Sequence, residues 1–142
     1  MVNSTTQAPH RGSRDDETVL IVPIAGELDI CTVPQLWARV AGMIATGVPV
    51  ALDVNGLTFI DACGLSGLLT LEAAAAQHGR PLLVAGFSPA LDRLLGLTGM
   101  PGRFPAPAET LRLRTTQPVR LGATTDITDI TDIIATNLPH PA

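Results

Sequence analysis

Not one of the 142 residues is a lysine, and none is a tyrosine. All positive charge therefore comes from nine arginines, set against thirteen acidic residues for a net charge of −4. They form no basic stripe, which makes a nucleic-acid backbone a poor partner. Aromatic residues make up 3% of the chain, with Trp37, Phe59, Phe87 and Phe104 as isolated large pieces. A core must be built mostly from Leu, Val, Ile and Ala, which suits helices packed closely on a sheet. The two cysteines, Cys31 and Cys63, are too few for a disulfide framework and stand outside any ligand-rich cluster, so no metal site is expected. No apolar run is both long and uninterrupted enough to span a bilayer, and the opening MVNSTTQAPHRGSRDDE lacks the apolar segment of a secretory signal. The expectation is a cytoplasmic chain with no membrane partner.

What is present is the material of a globular domain: 46% hydrophobic residues and 15% charged ones. Residues 1–16 have the composition of a disordered arm. Thr18-Val-Leu-Ile-Val-Pro-Ile24 is a β-branched run fit for a strand, with Pro23 arguing for an edge position or an early end. Gly26 to Cys31 reads as a loop. Thr32, followed by Pro34, reads as a helix start with the hydroxyl as cap; Leu36, Val40, Met43 and Ile44 recur at helical spacing until Gly47.

A second apolar run covers 48–54, Asn55-Gly56 reads as a turn, and Leu57 to Ile60 is a short extended piece. A helix is expected from about Gly64 to Gln77, a strand over 81–85, and a helix opened by Ser88-Pro89 and closed by Thr98-Gly99. Short apolar strands alternating with helices of this length imply an α/β domain with parallel strand pairs. Beyond Met100 the chain is Pro-rich, with a short strand expected around Arg103-Phe104 and an ambiguous segment at 109–113. Thr-Asp-Ile occurs three times over 125–133; a helix near 124–136 and a frayed low-complexity tail are equally open readings.

Three pieces in order carry a resemblance. Gly26-Glu-Leu-Asp29 precedes a helix, Leu57-Thr-Phe-Ile-Asp61-x-x-Gly-Leu65 makes a strand-to-helix turn, and Ser88-Pro-Ala-Leu-Asp-Arg-Leu-Leu-Gly-Leu-Thr-Gly99 opens a later helix. Over roughly 17–104 the chain resembles the STAS domain family, best known as bacterial anti-sigma factor antagonists. The resemblance implies a mixed β-sheet flanked by α-helices, a domain over 17–114 with 115–142 as a C-terminal extension, no catalytic centre and no cofactor. It also implies a protein partner, an anti-sigma factor with a kinase fold, which releases its sigma factor on binding the antagonist and ends the interaction by phosphorylating a serine. That serine follows the aspartate in the family's Asp-Ser-Ser-Gly-Leu. Here Ala62 stands in its place and Cys63 in that of the second serine, so the expectation is an antagonist blind to the kinase at this position.

The residues that would carry docking or switching are Asp61, Ala62, Cys63, Gly64, Leu65 and Ser66, with Glu27 and Asp29 from the neighbouring loop. Asp29 and Asp61 have two open readings: meeting the partner, or capping a helix and satisfying turn amides. In the family's fold the two loops share one end of the sheet, which would bring Cys31 near Cys63. A reversible disulfide is one expectation there, and a cysteine merely filling a serine-sized space is the other. Competing functions are a redox-sensitive or non-switching scaffold, a nucleotide-binding relative, and an enzyme using Cys63 as nucleophile. The enzyme lacks a base, since His10 and His140 fall in the tails and His78 at a helix end, and no glycine-rich phosphate loop recommends a nucleotide. Asp53 is assigned no role.

Overall fold

The computed structural model describes residues 17–122. The expected N-terminal arm and the Thr-Asp-Ile segment lie outside the described residues. Five strands and three helices occur in the described part, in the order β1 (Thr18–Leu28), α1 (Val33–Ala45), β2 (Val50–Ile60), α2 (Ala62–Gln77), β3 (Leu83–Ala85), α3 (Pro89–Leu97), β4 (Arg112–Thr115) and β5 (Val119–Leu121). The strand order is β3-β2-β1-β4, with β5 also paired to β1. The α/β sheet with flanking helices is as expected, and every strand pair among the described residues is parallel. Parallel neighbours need crossover connections, which the helices supply.

All three helices pack into one large cluster. Leu36, Val40 and Ile44 of α1, Leu65, Leu68 and Leu71 of α2, and Leu91 and Leu95 of α3 meet Val22, Ile24, Leu52 and Val54 of the sheet. The opposite face carries a smaller cluster of Val19, Ile21, Ala51 and Leu83, with Leu111 against it. Alternate residues of β1 thus divide between two cores, as strand pleating requires.

Several expectations are corrected here. β1 is a central strand, although Pro23 argued for an edge. The Leu20 N–H donates to Pro49 O, just ahead of β2, while Ile21 O accepts from the Thr116 N–H on the other side. By alternation, Pro23 turns its missing N–H towards the interval where β4 gives way to β5, so no ladder bond is lost. β1 also continues through Gly26, Glu27 and Leu28, which read as loop. Gly26 adopts φ 104°, and a β-carbon there would collide with the Leu121 carbonyl.

Asn55-Gly56 is not a turn: β2 runs through it as a bulge, where the pairing jumps from Pro23↔Asp53 to Ala25↔Gly56. The Asp53 side chain accepts from the Asn55 N–H (3.0 Å), and the Asn55 side chain accepts from the Phe87 N–H (2.9 Å). No strand forms at Arg103-Phe104. Phe104 packs against the main cluster instead, and the Pro105 carbonyl takes the outward N–H of Val84 (2.8 Å). The ambiguous stretch resolves into a turn followed by β4. β5 lies in the stretch set apart as a C-terminal extension; Val119 and Leu121 are buried in the main cluster.

Candidate functional site

The C-terminal ends of β1 and β2 lie side by side, and each enters a helix within a few residues. After β1, Asp29 Oδ1 accepts from the N–H groups of Cys31 (2.9 Å) and Thr32 (3.1 Å), an Asx turn. Thr32 does not cap α1 through its side chain, contrary to expectation. Its buried hydroxyl points back, donating to Glu27 O (2.7 Å) and accepting from the Asp29 N–H (2.9 Å). Pro34 relieves the helix of one unsatisfied donor, so a side-chain cap is less needed.

After β2 there is no intervening loop. Asp61 is the N-cap of α2, its Oδ1 accepting from the Gly64 N–H (2.8 Å), and α2 begins at Ala62, two residues earlier than expected. Gly64 presses on β1: a β-carbon there would collide with the Leu28 carbonyl, which also receives the Asp61 N–H (3.4 Å). Thr58 adds a tie between the strands, its hydroxyl donating to Gly26 O (3.1 Å).

The two loops named in the sequence therefore do meet. Within them, Gly64 and Leu65 are buried and serve packing, while Glu27, Ala62, Cys63 and Ser66 are exposed and Asp29 and Asp61 half-buried. For both aspartates the capping and turn reading is realised in the hydrogen bonds. Cys31 and Cys63 are free thiols, both exposed.

Sequence reasoning did not identify the groove beside this turn. An open cleft of about 520 Å³ runs between the starts of α1 and α2, walled by Val33, Pro34 and Trp37 on one side and Ala62, Cys63 and Ser66 on the other, with Ile30 at its mouth. Ile30 is 70% exposed. An isoleucine in a loop with nothing to cover it was the available signal, together with an apolar stripe on α1 that includes Val33 and Trp37 beside the core positions. Glu27, Asp29 and Asp61 give this end of the molecule an acidic rim, and none of the three forms an ion pair among the described residues. Among the described residues no group of three or more His, Cys, Asp or Glu could hold a metal ion, and no helix is long and apolar enough to cross a membrane.

With this geometry established, comparison with known proteins places the chain. A family model described as "Mlab, STAS domain" matches residues 12–112, well over half of the sequence. The chain belongs to the STAS domain family. The "Anti-sigma-B factor antagonist" of Staphylococcus aureus (strain NCTC 8325 / PS 47) is 29% identical over 80 residues, covering 56% of this chain and 74% of that protein. The protein of the same name from Staphylococcus epidermidis is 30% identical over 80 residues, with the same coverage. In this STAS domain the turn that caps α2 is exposed, apolar-walled and acidic-rimmed, and it carries Ala62 directly after its capping aspartate.

Proposed function

We propose that this STAS domain is an anti-sigma factor antagonist-like binding module, acting in the cytoplasm on an anti-sigma factor with a kinase fold, and fixed in the binding-competent state because Ala62 cannot accept a phosphate. The observation that carries the reading is the exposed Asp61-Ala62-Cys63 turn standing beside an apolar groove of about 520 Å³. An alanine here leaves the docking face uncharged at a point where a phosphate would bring up to about two negative charges onto an already acidic rim. The surface suits a partner that inserts an apolar side chain between Trp37 and Ala62 and surrounds it with basic residues; aromatic-walled, desolvated pockets are where interface energy concentrates. The names of the staphylococcal relatives support the same role.

The test is titration of anti-sigma kinases from the same cell against the protein, with and without ATP, read by calorimetry and by the fluorescence of the single tryptophan, Trp37. Expected are an affinity unchanged by ATP, a loss of at least tenfold for Asp61→Lys, and a Trp37 emission shift on binding. Stoichiometric phosphate on Thr58 or Ser66, or binding that ATP abolishes, would overturn the blind-antagonist reading. Failure to bind any such kinase would overturn the antagonist reading itself.

A further inference from the structure

The far edge of the sheet has a different character. All four residues of β4 are exposed, and β4 pairs only with β1 among the described residues. Arg112 pairs with Thr18 and Arg114 with Leu20, while Leu113 pairs with Val19. Paired residues share a face, so the two arginines project together on the helix side and Leu113 on the other. Leu113 is 58% exposed beside the smaller core that Leu111 helps to cover. The Arg112 N–H donates to Glu17 O (3.4 Å). By alternation, Arg112 and Arg114 turn their backbone groups to β1, and Leu113 and Thr115 turn theirs outward.

Arginine use sharpens the point. Arg39 donates to Gln117 O, Arg80 binds Glu17, and Arg103 binds Glu72. Among the described residues Arg93, Arg112, Arg114 and Arg120 make no such bond, although the chain has four more acidic than basic residues, and of these Arg112 and Arg114 stand two apart on one strand. Charges on a short edge strand can serve as guards against unwanted pairing. A guard accounts for the arginines but leaves the exposed Leu113, and the alternation of charge with an apolar residue, without a purpose. We propose that the outer edge of β4 is a docking site for an extended acidic segment of a partner protein. The segment adds as a further strand, with carboxylates opposite Arg112 and Arg114 and an apolar side chain over Leu113. β4 pairs with the start of β1, whereas the groove beside Ala62 lies past its end.

The probe is a fluorescein-labelled peptide of alternating glutamate and valine, titrated with the full-length protein and followed by anisotropy at low salt. Binding is expected to weaken as salt rises. Arg112→Gln with Arg114→Gln is expected to reduce affinity roughly tenfold, the scale of two opposed charge pairs across strands. Leu113→Pro, which removes one outward N–H, is expected to abolish binding, with circular dichroism confirming that each variant is folded. A glutamine-valine peptide binding equally well would overturn the proposal, as would a mixed-sequence single-stranded oligonucleotide binding more tightly than the acidic peptide. Unchanged affinity in the double arginine variant would also overturn it. So would binding that emerges only when Asp126, Asp129 and Asp132 are changed to Asn, because the chain's own acidic tract would then be the occupant.

Discussion

The turns that follow β1 and β2 are neighbours with an aspartate each, yet they are held in opposite ways. After β1 the chain ties itself: the side chains of Asp29 and Thr32 bond to backbone between Glu27 and Thr32 and to each other. After β2 the chain is tied to its neighbour: Asp61 caps α2 at once, and Gly64 lets that helix start rest on the Leu28 carbonyl. In the second turn the positioning comes from the backbone, Asp61, Gly64 and the buried Leu65, with Thr58 tying the strands just before it. The exposed Ala62 and Cys63 have no structural task, so their chemistry is free to differ without cost to the fold. The scaffold can therefore present different side chains at these two positions without changing its fold.

The severest way to break this contrast is Gly64→Ala. The new methyl would meet a backbone carbonyl rather than the end of a flexible side chain. A loss of about 3 kcal/mol is expected, at the upper end of what overpacking costs. Urea denaturation would measure it, and a loss under ~1 kcal/mol would mean that α2 is not braced on β1.

Thr32 tests the other turn. Its hydroxyl is buried and bonded at both ends, so Thr32→Val should cost about 2 kcal/mol by leaving Glu27 O and the Asp29 N–H without partners. Thr32→Asp should cost at least as much, although aspartate is among the best helix caps. If Thr32→Asp instead raised the melting temperature, the side chain would be a cap after all, and the two turns would be more alike than the hydrogen bonds indicate.

Thr32 also illustrates what a sequence makes legible. A threonine two residues before a proline satisfies every local rule for a helix start, and the helix does start there; what the rule cannot see is that the hydroxyl has a better partner behind it. Asn55-Gly56 misleads in the same way. Locally it is a turn dipeptide, but β2 is paired before and after it, and the Asn55 side chain is occupied by the Phe87 N–H from a segment 32 residues on. Ser88, whose cap on Leu91 was legible, also ties its helix to Leu57 O at long range. Periodicity and turn chemistry thus revealed the α/β order and the capped turns. Long-range pairing decided the length of β1, the bulge in β2 and the place of β5. The groove stayed hidden because its walls, Val33 and Trp37, belong to the same apolar stripe as the core residues of α1. Only the relative placement of two helix starts separates a buried face from an open one.

Asp61 sharpens the comparison at smaller scale, because its cap and its charge can be separated. Asp61→Ala should cost about 1 kcal/mol as the Gly64 N–H loses its acceptor. Asp61→Asn keeps an acceptor at the cap and should be within ~0.5 kcal/mol of the parent, as asparagine and aspartate cap about equally well. If the partner reads the acidic rim, Asp61→Asn should nevertheless weaken binding, most clearly at low salt. Equal binding by the parent and Asp61→Asn would leave Asp61 a structural residue alone.

The smallest structural effect is expected where the functional one is largest. Ala62 is exposed at the first position of α2 and makes no side-chain bond, so Ala62→Ser should change stability by under ~0.5 kcal/mol. It would also place a hydroxyl directly after the capping aspartate, on the face that adjoins the groove. The unmodified variant is expected to bind the anti-sigma kinase as the parent does. With ATP present, mass spectrometry should find phosphate on residue 62 and calorimetry should find the complex lost, because a bulky hydrated dianion at the wall of the apolar groove would have to be desolvated on docking and would block the side chain that the groove receives. A variant that is phosphorylated yet stays bound would show that the rim tolerates charge, and the absence of a serine at position 62 would then say nothing about regulation. A variant that binds but is never phosphorylated would mean that the turn, held against Leu28 by Gly64, is presented to the kinase differently from a substrate's.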